Sequence, residues 1–89
     1  MPEYRAPLRD MEFVSKEFLG LEHYQSLGDC EALGEDLWDA IVDAGAKFAE
    51  NVLAPINGSG DEQGCRFADG EVKTPDGFAQ AFAQYGEAG

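Results

Sequence analysis

Positive charge is what this sequence has least of. Its 89 residues hold 6 Lys and Arg against 18 Asp and Glu, for a net charge of −12. The cations Arg5, Arg9, Lys16, Lys47, Arg66 and Lys73 are scattered along the chain. No basic patch forms to neutralise phosphates, so binding to nucleic acid or to an anionic membrane surface is disfavoured. Histidine is nearly absent: His23 stands alone. The two cysteines, Cys30 and Cys65, form no C-x-x-C. A zinc site would need carboxylates to complete it, and no such spacing is present. No apolar run approaches membrane-spanning length, and the opening "MPEYRAPLRD" has no apolar core of a signal peptide. A cytoplasmic location is expected, with both thiols reduced. Asn57-Gly58-Ser59 matches the glycosylation pattern, which carries no meaning without secretion. Internal repeats and low-complexity segments are missing too.

What is present is enough for one small domain. Hydrophobic residues make up 44% of the chain, which argues against disorder throughout, and six Phe, three Tyr and one Trp offer large anchors. A chain this short buries only roughly 60 to 65% of the surface it exposes when unfolded, so the margin is thin.

The hydrophobic periodicity predicts a mainly α fold of about three helices, at 10–19, 34–54 and 76–86, with a short β-hairpin near 65–74. Residues 1–8 read as an extended arm, because Pro2 and Pro7 fix φ and bias their predecessors away from helix. In the first helix Asp10 is the expected N-cap, and Met11, Val14, Phe18 and Leu21 recur on one face. Gly20 is placed to end it, and residues 21–27 can continue as a short helix. The strongest pattern starts near Gly34. Leu37, Trp38, Ile41, Val42, Gly45, Phe48, Ala49, Val52 and Leu53 share one stripe, with Glu35, Asp36, Asp39, Asp43, Lys47, Glu50 and Asn51 opposite. Asp43 and Lys47 stand at i, i+4, a weakly favourable pair. Pro55 predicts a kink at 51–55 and decay of the helix through Gly58 and Gly60. Asp69-Gly70 between two short apolar-alternating runs reads as the hairpin turn. Such a hairpin is marginal alone and needs something to lean on. In the last helix Phe78, Ala81, Phe82 and Tyr85 share a face. Trp38, Phe48, Phe67, Phe78 and Phe82 are the expected core.

None of the reactive side chains forms a complete site. His23 has Glu22 and Glu31 as sequence neighbours but no nucleophile–base–orienter spacing. Cys30 precedes a helix, where a thiol pKa can fall, yet Asp29 and Glu31 oppose ionisation. Cys65 reads as a small packing residue. Asp61, Gln63 and Cys65 do not supply the alternating oxygen ligands of a calcium loop, so a solvated turn is expected. Gly58, Gly60 and Gly64 follow a helix rather than a strand, and no Lys-Ser/Thr comes after them, so both phosphate-cradle fingerprints fail. An acyl carrier would need Asp-Ser-Leu at a helix start, and Ser26-Leu27 follows Gln25 instead. No catalytic, cofactor-binding or metal-binding residue is therefore assigned. The apolar helix surface exceeds what the chain can cover by itself, which points to a partner or to further chain.

The order of segments adds a resemblance. "YRAPLRDMEFV" at 4–14, "FAENVLAPINGSGDEQGCRFADGEVKTPDGF" at 48–78 and "AFAQYGEAG" at 81–89 resemble the N-terminus of a long-chain subgroup of bacterial acyl-CoA dehydrogenases. The first stretch is similar to the short extension of that subgroup. The second resembles the start of its all-helical N-terminal domain, where a helix carrying Ala-Pro ends in a Gly-Asp-x-x-Gly-Cys turn. On that basis residues 1–33 are expected to be an arm with extension helices, and 34–89 an incomplete part of the helical domain, stopping before the β-domain. The resemblance implies an FAD-dependent, oligomeric parent enzyme that oxidises an acyl-CoA to the 2,3-enoyl-CoA. Its glutamate base and flavin contacts have no matching position here, and its electrons leave through an electron-transfer flavoprotein. The 89 residues alone are expected to be inactive and to act in packing or assembly. The alternative reading is a stand-alone, small acidic helical interaction module that self-associates.

Overall fold

The computed structural model describes residues 3–31 and 33–89. Residues 1 and 2, and with them Pro2 of the expected arm, lie outside the described residues, as does Ala32. The chain divides into two compact units, Arg5–Lys47 and Phe48–Gly89, the second joined by the residues up to Tyr4.

In the first unit, residues 5–7 have no regular structure, and α1 covers residues 8–18. It begins as the α-turn Leu8–Glu12 and widens into a π-turn at Phe13–Phe18. The start lies two residues ahead of expectation. Pro7 takes the N-cap position, and Asp10 sits in the first turn, where its charge suits the positive end of the helix dipole. The π spacing shows in the Leu19 N–H, which donates to the Val14 carbonyl at 2.8 Å. Widening the turn breaks the 3.6-residue rhythm on which a common face depends. Met11, Val14 and Phe18 are consequently 43%, 45% and 76% exposed, while Leu8, Ser15 and Lys16 are half-buried. Gly20, at φ 70°, ends the helix. The short helix α2, Leu21–Tyr24, follows and buries Leu21. A 3-10 turn at Gly28–Cys30 leads on, and Gln25 Nε2 donates to the Leu33 carbonyl at 3.0 Å, bracing the connection.

Helix α3, Glu35–Phe48, opens with two acids in its first turn as expected. Its inward line is Trp38, Val42 and Ala46, at steps of four, with Ala46 buried. That line lies one residue away from the expected Gly45, and Leu37 and Ile41 on its flank remain exposed.

In the second unit the helical backbone does not fade at Pro55. A π-turn, Ala49–Leu53, hands over to α4, Ala54–Gln63, with Pro55 inside the first turn. The Ala54 N–H already donates five residues back, to the Ala49 carbonyl, so the regular i→i−4 ladder is interrupted where Pro55 enters. Helix therefore continues nine residues past its expected end at 54, to Gln63. Gly64 closes it, donating to the Gly60 carbonyl at 2.8 Å. The hairpin forms as expected from β1, Arg66–Ala68, and β2, Glu71–Lys73, with Phe67 opposite Val72. Its turn residues Asp69 and Gly70 have φ of 54° and 78°, the two positive values a tight primed turn requires. The backbone N–H of Asp76 donates to Gln63 Oε1 at 2.9 Å, fixing the approach to α5, Phe78–Glu87. Gly77 precedes it at φ 90°, and a Cβ there would lie 3.2 Å from Ile56 Cγ2.

The expected aromatic core does not assemble. Phe67 and Phe82 are 73% and 79% exposed. Among the described residues the buried apolar side chains are Leu21, Ala46, Pro75 and Ala81. The chain exposes 7276 Å², whereas a compact protein of its mass exposes about 5,100 Å². Even two separate compact bodies of half that mass would expose only about 6,100 Å².

Candidate functional site

An apolar cleft of about 390 Å³ lies within the second unit. One wall comes from the π-turn and α4, with Leu53 and Ile56; the other comes from α5, with Phe78, Phe82 and Tyr85. Phe48 reaches across to Tyr85, ring centroids 5.7 Å apart and planes inclined by 65°, an edge-to-face contact. Such a pair adds about 0.5–1.5 kcal/mol beyond burial. The walls meet closely at Gly60: a Cβ on it would stand 2.6 Å from Cε1 and Cζ of Phe78. Ala81 fills the floor and is buried. Asn57 and the Tyr85 hydroxyl are the polar groups of the lining, and no lining residue is charged.

The first unit holds a cluster of one lysine and three carboxylates. Lys16 Nζ lies 2.7 Å from Asp39 Oδ1, 3.0 Å from Glu35 Oε1 and 3.3 Å from Glu12 Oε1. The Asp39 carboxylate, followed by those of Glu35 and Glu12, holds the ammonium proton and raises the Lys16 pKa well above the ordinary 10.5. This tie of α1 to the first two turns of α3 escapes a reading that sees only scattered cations. Two sequence spacings carry its signal: Glu12 and Lys16 at i, i+4, and Glu35 and Asp39 at i, i+4 on one face of α3.

The side chains weighed from the sequence stay apart. His23 is exposed on α2, and its carbonyl accepts a 2.8 Å hydrogen bond from Ser26 Oγ. Cys30 is half-buried and Cys65 exposed, both as free thiols. Asp61 and Glu62 are exposed in the last turn of α4, so "GDEQGC" is a helix end rather than a loop. Among the described residues no group of three His, Cys, Asp or Glu is placed to hold a metal ion. No helix among them is long and apolar enough to cross a membrane.

No protein-family model matches the chain. Curated proteins do match. Over 97% of its length it is 34% identical to a butyryl-CoA dehydrogenase of Syntrophomonas wolfei. A second butyryl-CoA dehydrogenase of that organism is 33% identical. The 3-methylmercaptopropionyl-CoA dehydrogenase of Ruegeria pomeroyi is 27% identical. The chain resembles acyl-CoA dehydrogenases. It spans 15% of the length of each of these relatives. The agreement with acyl-CoA dehydrogenases rests on nearly the whole chain, both units included, and the names carry the same reaction type for three proteins.

Proposed function

We propose that these residues correspond to the N-terminal part of an FAD-dependent acyl-CoA dehydrogenase. In this reading residues 1–33 form the arm and extension helices, and 34–89 begin the helical N-terminal domain. The observation that carries it is the match over 97% of this chain to 15% of three dehydrogenases. The parent would oxidise an acyl-CoA to the 2,3-enoyl-CoA and pass electrons to an electron-transfer flavoprotein. In that enzyme these residues act in packing and oligomer assembly. Support comes from apolar side chains that gain nothing from water, such as Phe82 at 79% exposure and Phe18 at 76%. A cytoplasmic location goes with two free thiols.

The residues present do not fit the flavin. A dinucleotide diphosphate needs cations or converging backbone N–H groups, and the second-unit cleft offers the Asn57 amide and a phenol between apolar walls. No chemical step is assigned to this chain. The purified 89-residue protein is expected to show no yellow flavin absorbance and no dye reduction with acyl-CoA. Added to an acyl-CoA dehydrogenase that lacks its aligned stretch, it is expected to restore soluble, flavin-loaded enzyme. Stoichiometric FAD on the isolated chain would overturn the assignment, and so would failure to restore that enzyme.

A further inference from the structure

The walls of the second-unit cleft differ from the rest of the chain in charge. Residues 48–65 and 74–89, which include all of its lining, contain no Lys, Arg or His. The same stretches carry five acids, of which Glu50 is half-buried and Asp61, Glu62, Asp76 and Glu87 are exposed. Phe82 and Tyr85, which line the cleft, are 79% and 67% exposed on α5, the helix that Asp76 precedes and Glu87 ends. Two helices with an open apolar seam are the usual seat of a third amphipathic helix, which inserts side chains at i, i+3 or i+4 and i+7. A cleft of about 390 Å³ has room for two or three of them.

The charge selects the occupant. A second copy would bring the same carboxylates, and another net −12, against this surface, and like charges across an interface oppose association. We infer that the cleft is a docking groove for an amphipathic α-helix with Lys and Arg flanking its apolar stripe. Its apolar side chains would cover Phe82 and Tyr85, and its cations would meet the acids at the ends of α4 and α5. This goes beyond the acyl-CoA dehydrogenase reading and does not rest on it, since exposure, cleft and charge are properties of these residues alone.

The test uses the full 89-residue chain and three labelled peptides of about 18 residues, long enough to form a stable helix on docking. One carries Leu at helical spacing with Lys elsewhere, one has the same Leu pattern with Glu, and one is the Leu/Lys peptide scrambled. Fluorescence anisotropy is expected to show the Leu/Lys helix binding at least tenfold more tightly than either control. Phe82→Glu should weaken it tenfold or more with unchanged far-ultraviolet circular dichroism, because that side chain is already exposed. Glu62→Lys with Glu87→Lys should weaken it several-fold, and added salt should do the same to the unaltered protein. Equal binding of the scrambled peptide would reduce the effect to general charge attraction and overturn the proposal. So would equal binding of the Leu/Glu helix. Sedimentation showing a dimer of the free chain that Phe82→Glu dissolves would give the groove to a second copy instead, which also overturns it.

Discussion

Three carboxylates converge on Lys16, one from its own helix at i, i+4 and two from α3. The pKa of the ammonium is raised, so the stability it contributes is complete below the ordinary lysine value of 10.5 and is lost as pH climbs through the higher folded value. Lys16→Met is expected to loosen the first unit at neutral pH, because Glu12, Glu35 and Asp39 then repel one another. It should also abolish the loss of stability on the alkaline side; urea denaturation followed by circular dichroism from pH 8 to 11 checks both. Gly60 gives a second case where two effects compete. Alanine there gains about 1 kcal/mol in helix propensity, but its Cβ meets the Phe78 ring at 2.6 Å, and overpacking costs about 1–3 kcal/mol. Gly60→Ala is expected to destabilise by about 1 kcal/mol in the native background. In a Phe78→Ala background, where the ring is gone, the same change should stabilise, and a double-mutant cycle by urea denaturation reads the reversal.

At the scale of elements, the π-turns decide more than the breakers do. Pro55 is a helix breaker by composition, yet the Ala54 N–H donates to the Ala49 carbonyl across the widened turn, and α4 starts cleanly beyond it. The cost of Gly58 and Gly60 within α4 is offset on its inner side, where Gly60 lies buried under Phe78. The hairpin is governed by local chemistry instead. Gly70 holds φ 78°, and an alanine in that region costs roughly 1–2 kcal/mol. Since two three-residue strands have little else to hold them, Gly70→Ala is expected to unpair the hairpin. Loss of the nuclear Overhauser contact between Phe67 and Val72 would report it.

For the molecule as a whole, the excess of exposed surface is the governing quantity. An interior in which Leu21, Ala46, Pro75 and Ala81 are the buried apolar side chains among the described residues leaves little area to be newly exposed on unfolding. The urea m-value scales with that area and is expected to lie below about 1 kcal/mol/M, with a broad thermal transition by calorimetry. Burial of the exposed aromatics against another chain would raise it, so m measured with the docked Leu/Lys helix should increase. The proposed acyl-CoA dehydrogenase reading leads the same way at this scale: a segment that spans 15% of its relatives' length would gain most of its stability from the chain packed around it.

The sequence alone determined the features that depend on nearest neighbours along the chain. Periodicity placed α3 and α5, Asp69-Gly70 set the hairpin and its register, and composition with spacing left His23, Cys30 and Cys65 without partners. The quoted segments also carried the resemblance to acyl-CoA dehydrogenases. Tertiary structure decided which apolar residues are covered. The same Phe residues suit a core or an open face equally well by pattern, and the π-turns at 13–18 and 49–53 shift which side of each helix faces inward. It also turned Lys16 from one scattered cation into the link between α1 and α3, because the acids it meets stand up to 23 residues away in sequence. Helical spacing is a local property, whereas burial depends on what else occupies the space beside a side chain.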